Sequence, residues 1–218
     1  MYRAEEDYLK LIYELSVEQN KPLIKNNEIA EAFGYTDQSV NEMVKKLVNK
    51  KLVKFEPYKG VSLTEKGNEE AIRMIRAHRI WEVFLTKELK ISWQDVHEDA
   101  EKLEHASSEA LIEKLYKYLG NPEYCQHGNP IPDINGNIKE IATLTLAETN
   151  EGDTFMIKRV LDHKELLKYL DERGIHLEME LKVVKKDSFN GYLKVEVDGK
   201  VLPITERVSH MLFGIKHQ

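Results

Sequence analysis

One cysteine, Cys125, stands in 218 residues, so no disulfide can close within the chain. No apolar run comes near the roughly 20 residues of a membrane helix, and no basic start followed by an apolar stretch opens the chain. A cytoplasmic protein without a membrane partner is the expectation. Two metalloenzyme signatures are missing as well. The residue four positions after His97 is Glu101, where a zinc-peptidase helix needs a second His. Glu-x-x-His, which a di-iron bundle repeats on two helices, does not occur. Excess positive charge is lacking: the net charge of −6, taken alone, argues against nucleic acid.

The distribution of charge points the other way. Between Val40 and Lys66 there are seven Lys against three Glu, whereas eight basic residues face twelve acidic ones between Arg76 and Glu140. A basic segment followed by an acidic one fits a DNA-contacting module beside a cation-binding module. Charged residues make up 32% and hydrophobic ones 41% of the chain. That composition leans toward helix, and the length suffices for two or three modest domains.

Helical spacing begins early. Tyr8, Leu11, Ile12 and Leu15 share one face of a helix expected from Glu5 to about Gln19. Asp7 lies near its start, where a carboxylate complements the helix dipole; the residue alone does not decide whether it does more. Asn26 or Asn27 can cap a second helix through Phe33, Gly34 supplies a turn, and Thr36 caps a third from Asp37 to about Lys50. This is a helix-turn-helix. Thr36, Asp37, Gln38, Ser39, Asn41 and Glu42 can reach base edges, with Lys45 and Lys46 behind them for phosphates. Two alternating runs, 52–56 and 61–63, joined by Pro57-Tyr58-Lys59-Gly60, make a wing whose tip residues Tyr58 and Lys59 meet the DNA backbone. Thr64 caps a fourth helix running to about Leu85.

Metal-ligand spacing follows. His78 and Glu82 are four apart, and His97, Glu101, Glu104 and His105 fall at i, i+4, i+7 and i+8 of one helical stripe. Imidazole and carboxylate together suit divalent transition metals. At about 1.5 Å per residue, His97 and Glu101 are roughly 6 Å apart along the axis, so two neighbouring sites are expected rather than one. A further helix runs from a Ser107 or Ser108 cap to Leu119. Leu85, Leu89, Leu111, Ile112, Leu115 and Leu119 exceed what such short helices bury alone, which predicts a homodimer interface. A loop rich in Pro, Gly and Asn spans 120–137 and carries Cys125 and His127. Short strands at 154–161, 178–186, 191–197 and 201–204, with one helix at 164–173, read as a small β-barrel. His163, His176, His210 and His217 are scattered and read as surface residues, and Asp162 has no assigned role from spacing. The expected fold is mainly α with a C-terminal β part, divided at 1–72, 73–140 and 141–218.

Six motifs carry a resemblance: Glu6-Asp7-Tyr8-Leu9, Ser39-Val40 with Lys46-Leu47, Tyr58-Lys59-Gly60-Val61-Ser62-Leu63-Thr64, His78-x3-Glu82, Val96-His97-x3-Glu101-x2-Glu104-His105, and Gly128-Asn-Pro-Ile-Pro132. In order and spacing the chain resembles the diphtheria-toxin-repressor family of metal-dependent transcriptional regulators, three-domain manganese-responsive branch. The C-terminal part is similar to FeoA. The resemblance implies a winged-helix domain, a helical dimerisation domain and a FeoA-like barrel. It implies a primary metal site of Asp7, Glu101, Glu104, His105 and Cys125, and an ancillary site of His78, Glu82, His97 and Asp162. It further implies two ions per subunit, operator DNA as partner, no organic cofactor, no enzymatic activity, and repression of metal-uptake genes.

Departures within the family sharpen the expectation. Iron-responsive members carry Met and Cys where this chain has Asp7 and Glu101, so oxygen ligands here favour Mn²⁺, with Fe²⁺ as the second candidate. Two-domain manganese regulators carry Glu where this chain has Lys10, which favours two separate sites over a binuclear one. Gln38 stands where many relatives have Pro, so no operator sequence carries over. Two rival readings are a winged-helix regulator of a small organic ligand with structural metal only, and a metallohydrolase using Glu98 as its base.

Overall fold

Thr36, Thr64 and Ser108 each stand one residue ahead of a helix and accept a hydrogen bond from the amide three positions on. These caps satisfy amides that the helices leave unpaired. A computed structural model of the chain describes residues 1–18, 21–187 and 189–217. Helix α1 covers Arg3–Tyr13 and continues as a π-turn, Glu14–Glu18; the expected end at Gln19 lies outside the described residues. Helix α2 (Asn26–Phe33) starts one residue after Lys25, whose amide donates to the Glu28 carboxylate, 3.0 Å. Gly34 ends it in the left-handed region, φ 68°, a common helix stop. Helix α3 (Asp37–Asn49) follows, then strands β1 (Val53–Glu56) and β2 (Gly60–Leu63), which pair antiparallel as the wing. Leu9, Ile12, Ile29, Val40, Leu47 and Val61, together with Ile75 of the next helix, close one core beneath them.

That next helix, α4 (Glu65–Lys87), is the longest, and it joins the winged-helix half to the rest. Helix α1 packs along it on one side and helix α5 (His97–Ala106) on another. Helix α6 (Glu109–Tyr118) completes the helical part, with Ile112 and Leu119 packed against Ala77 and Ile80. The loop that follows is strapped to α4: Arg79 donates to the Pro130 carbonyl at 2.6 Å, and Arg76 donates to the Pro132 carbonyl.

The C-terminal part comprises β3 (Leu144–Thr145), β4 (Thr154–Val160), α7 (Lys164–Asp171), β5 (Glu180–Asp187), β6 (Tyr192–Val197), β7 (Lys200–Thr205), α8 (Glu206–Ser209) and β8 (Leu212–His217). The strands form one antiparallel sheet in the order β3-β8-β4-β5-β6-β7. Four of these strands and α7 lie where the sequence predicts them, give or take a few residues at their ends. Strands β3 and β8 and helix α8 are additions. Strand β8 escapes a pattern search because its first three residues are all buried rather than alternating, and Gly214 sits among them; a glycine inside a strand pattern reads as a weakness. A Cβ there would come within 1.9 Å of the Met156 carbonyl, so the glycine is what lets β8 lie against β4.

Candidate metal centres and nucleic-acid interface

Three consecutive carboxylates on α1 reach three other helices. Glu5 turns to α3, 2.9 Å from Lys46 Nζ and 2.8 Å from Lys50 Nζ. Burial works against its charge, but the two ammonium groups win and hold the carboxyl down to about 2, as opposite charges at contact do. Glu6 takes Arg73 of α4 at 2.9 Å and His105 Nδ1 of α5 at 2.8 Å. Asp7 faces the other edge of the same imidazole, with Oδ1 2.8 Å from Nε2.

Asp7 thereby joins Glu101, Glu104 and His105, and one donor atom from each lies within 4.8 Å of the others. Glu104 Oε1 and Glu101 Oε1 are 3.6 and 4.0 Å from His105 Nε2. Asp7 Oδ1 and His105 Nε2 are buried and, beyond their contact with each other, take part in no hydrogen bond. Burial raises the Asp7 carboxyl, and the charges of Glu101 and Glu104 add to that against the pull of His105. Buried polar atoms that converge without hydrogen bonds are costly unless a ligand satisfies them. Three carboxylates and an imidazole fit a divalent ion of hard to borderline character.

Lys10 lies on the other side of these carboxylates. Its ammonium donates to Glu101 Oε2 at 2.8 Å and Glu104 Oε2 at 3.0 Å, and contacts His78 Nδ1 at 3.1 Å. Burial would discharge it, but Glu104, Glu14 and Glu101 hold it charged, well above the ordinary lysine range.

Beyond Lys10 lies a second cluster: His78 and Glu82 of α4, His97 of α5, and Asp162 from the turn after β4. His97 Nδ1 is 2.5 Å from Asp162 Oδ2, and His78 Nε2 is 3.2 Å from Glu82 Oε1. Burial raises the Asp162 carboxyl, and bonds to His78 and His97 outweigh it and hold the group low. All four ancillary residues implied by the resemblance are therefore together.

Cys125 is elsewhere than expected. It sits not with Asp7 but with Glu82 and His127, in a fully buried group whose donor atoms also lie within 4.8 Å. The physical reason is the path of its loop. Arg79 and Arg76 draw the loop along α4, and Val160 of β4 donates to the His127 carbonyl at 2.9 Å. Gly128, at φ 80°, makes the approach possible, since a Cβ would meet the Lys158 carbonyl at 2.0 Å. Only glycine adopts that backbone region without steric cost. His127 contacts the Trp93 carbonyl through Nε2 at 2.9 Å, leaving Nδ1 toward Glu82 Oε1 at 3.3 Å with no hydrogen bond. A ring nitrogen fixed by its partner in this way is set up as a ligand. Sequence reasoning gives His127 no role; the Cys125-x-His127 spacing is the available signal. Because Glu82 belongs to both groups and Asp162 Oδ1 is 3.9 Å from His127 Nε2, the two groups adjoin. The thiol makes this end softer than the Asp7 end.

The DNA-facing candidates are exposed. Thr36, Asp37, Gln38, Ser39, Asn41, Glu42, Lys45 and Lys46 are all exposed on or beside α3. Asn26 of α2 donates to the Asn41 side chain, so α2 braces that edge. Tyr58 is wholly exposed at the wing tip, at φ 65°, next to an exposed Lys59 that pairs with Glu56. Lys46 differs from its neighbours: the Glu5 ion pair and the Tyr2 ring, 4.8 Å away, turn it toward α1. Glu98 is on the surface with Lys164, 3.4 Å away, not in a cleft where a general base would be needed.

Known proteins match along the chain. The profile of the iron-dependent repressor N-terminal DNA-binding domain matches residues 1–61. The iron-dependent repressor metal-binding and dimerisation domain matches 64–133, and the FeoA domain 144–214. The solved manganese regulator SloR is 38% identical with a TM-score of 0.86, over 98% of both chains. A manganese-dependent transcriptional repressor in complex with manganese is 30% identical with a TM-score of 0.91, over 98% of this chain and 100% of that one. The iron-dependent repressor IdeR of Mycobacterium tuberculosis is 35% identical over 129 residues, 59% of this chain and 55% of that protein. The match to IdeR thus spans about half of its length.

Proposed function

The chain belongs to the iron-dependent repressor family, and from that premise we propose that it is a metal-dependent DNA-binding transcriptional repressor whose switch is the Asp7 cluster. Asp7 stands on α1, which packs in the core of the DNA-reading half, whereas Glu101, Glu104 and His105 stand on α5. Divalent metal binding is common to the family; the assignment of two ions per subunit, with Mn²⁺ ahead of Fe²⁺, rests on the donor atoms here. The first ion is held by Asp7, Glu101, Glu104 and His105. The second is held among Glu82, Asp162, His78 and His97, with Cys125 and His127 completing its softer side.

A divalent ion bound at the first cluster supplies the charge that lets three carboxylates share one small space. The residues do the rest. Asp7 fixes α1 against α5. Glu5, two residues earlier, fixes α3 through Lys46 and Lys50. The exposed amide and hydroxyl groups of α3 then stand at a set distance from the dimer axis. We place the subunit contact on the helical part, where Leu89 and Leu111 remain exposed beside buried Leu85 and Ile112, since a two-fold pair needs one self-complementary face. Division of labour follows the sequence boundaries: 1–72 reads DNA, 73–140 dimerises, and 141–218 docks through Asp162. The target genes would be those of metal uptake.

The observation that carries this reading is the pair Asp7 Oδ1 and His105 Nε2, buried 2.8 Å apart with no other polar partner in hydrogen-bonding geometry, where two halves of the chain meet. A coupling of about 1–3 kcal/mol between metal and DNA gives a gain in DNA affinity of roughly 5–150-fold. The test uses a duplex selected from random sequence in Mn²⁺. Wild type should bind it at least about tenfold more tightly in Mn²⁺ than in chelator, and Asp7→Ala should lose that gain. Full metal response in Asp7→Ala would refute the assignment of the switch.

A further inference from the structure

We infer that Lys10 is a tethered cation that competes with the divalent ion for Glu101 and Glu104 and keeps α1 docked on α5 when that ion is absent. The inference rests on the reading of the Asp7 cluster as a metal site and concerns how that site is regulated.

The geometry is that of a fully used ammonium. Lys10 is on α1, and its ammonium donates to Glu101 Oε2 at 2.8 Å and to both oxygens of Glu104, Oε2 at 3.0 Å and Oε1 at 3.1 Å, with His78 Nδ1 also 3.1 Å away. The Lys10 side chain is 8% exposed and that of Glu104 is 0% exposed. Water and salt therefore do little to screen the contact. Glu101 divides its oxygens: Oε2 faces Lys10, and Oε1 faces His105 and the metal position. Glu104 gives both oxygens to Lys10, and its Oε1, 3.1 Å from the ammonium, also lies 3.6 Å from His105 Nε2. The same two carboxylates therefore serve a permanent cation on one side and an exchangeable one on the other.

Charge balance follows from the residues present. Asp7, Glu101 and Glu104 carry three negative charges, Lys10 one positive charge, and a divalent ion two, so the loaded cluster is neutral only with Lys10 in place. Without the divalent ion, Lys10 still neutralises part of the cluster, and it does so from α1 to α5, across the junction Asp7 spans. A lysine charge a few ångströms from a bound ion weakens that ion's binding, and the effect is large where water is excluded. Lys10 thus sets a lower metal affinity and a tighter metal-free junction than the carboxylates alone would give. The position also touches both clusters, since His78 belongs to the second.

Two measurements on the full chain test this, and neither uses DNA, so a failed metal response on DNA would not decide them. The first is Mn²⁺ titration against a competing chelating dye, taking the binding step that Asp7→Ala abolishes as that of the cluster. Lys10→Met should tighten this step by about tenfold or more, and Lys10→Arg, which keeps the charge, should stay within about threefold of wild type. A side chain that merely supported the fold would weaken metal binding when removed. The second is amide hydrogen exchange of residues 3–13 in chelator, which should speed up at least several-fold in Lys10→Met and return to the wild-type rate in Mn²⁺. Lys10→Gln, which keeps a donor without the charge, decides both measurements if Lys10→Met does not fold. Unchanged or weaker Mn²⁺ binding in the uncharged variants, or unchanged exchange of α1, would overturn the inference.

Discussion

Glu5, Glu6 and Asp7 occupy one turn of α1 and hold α3, α4 and α5 respectively, with Glu6 also reaching α5. Replacing Glu5 by Gln should cost about 1.5–3 kcal/mol, the range for hydrogen bonds to charged groups. Its pH dependence has a fixed sign. The folded-state carboxyl is lowered from 4.5 to about 2. Its contribution is therefore complete above the unfolded value and is lost as pH falls through the folded one. Urea unfolding of wild type and Glu5→Gln in chelator should differ near neutral pH and converge in strong acid; a gap that widened in acid would contradict the assignment. At the soft end, Cys125→Ser should weaken Cd²⁺ binding by about tenfold or more and remove the thiolate–Cd²⁺ ultraviolet absorption, while leaving the Mn²⁺ step at Asp7 in place. Much at this scale is legible in the sequence. Glu101, Glu104 and His105 announce themselves by helical spacing. Asp7 and Asp162 come only through the family resemblance, because each meets its partners far along the chain. His127 is missed, and Cys125 misplaced, because a loop has no period from which to read a direction.

Among the elements, the loop between α6 and β3 does the most to position a site. It has little regular structure, yet Arg76, Arg79 and the β4 backbone pin it on both sides. Gly128→Ala should undo that closeness, since the added Cβ meets the Lys158 carbonyl and the residue is held at φ +80°. The variant should lose about 1 kcal/mol or more, and the protease sensitivity of the 120–143 linker should rise. Unchanged sensitivity and stability would show that the loop is not held as described. The helices of the first half are readable because caps, apolar spacing and the Gly34 turn agree. Strand β8 is not, since a buried strand around a glycine looks like a break. Only the fold puts Gly214 against the Met156 carbonyl.

In the whole molecule, acidic composition and DNA binding are reconciled by separation. The proposed DNA-facing surface lies on α3 and the wing, and many of the carboxylates sit instead on the helices that carry the proposed metal ligands. DNA affinity should fall steeply with salt, and Lys59→Ala should weaken binding across sequences and flatten the salt slope by about one counterion. No helix among the described residues is long and apolar enough to cross a membrane. The central claim is that one ion joins α1 to α5, and crystals of the Mn²⁺-loaded chain test it most directly, through anomalous scattering at the manganese edge. The account predicts a peak within coordination distance of Asp7, Glu104 and His105 together. A manganese-loaded structure with Asp7 turned to solvent, and no peak between it and His105, would contradict it.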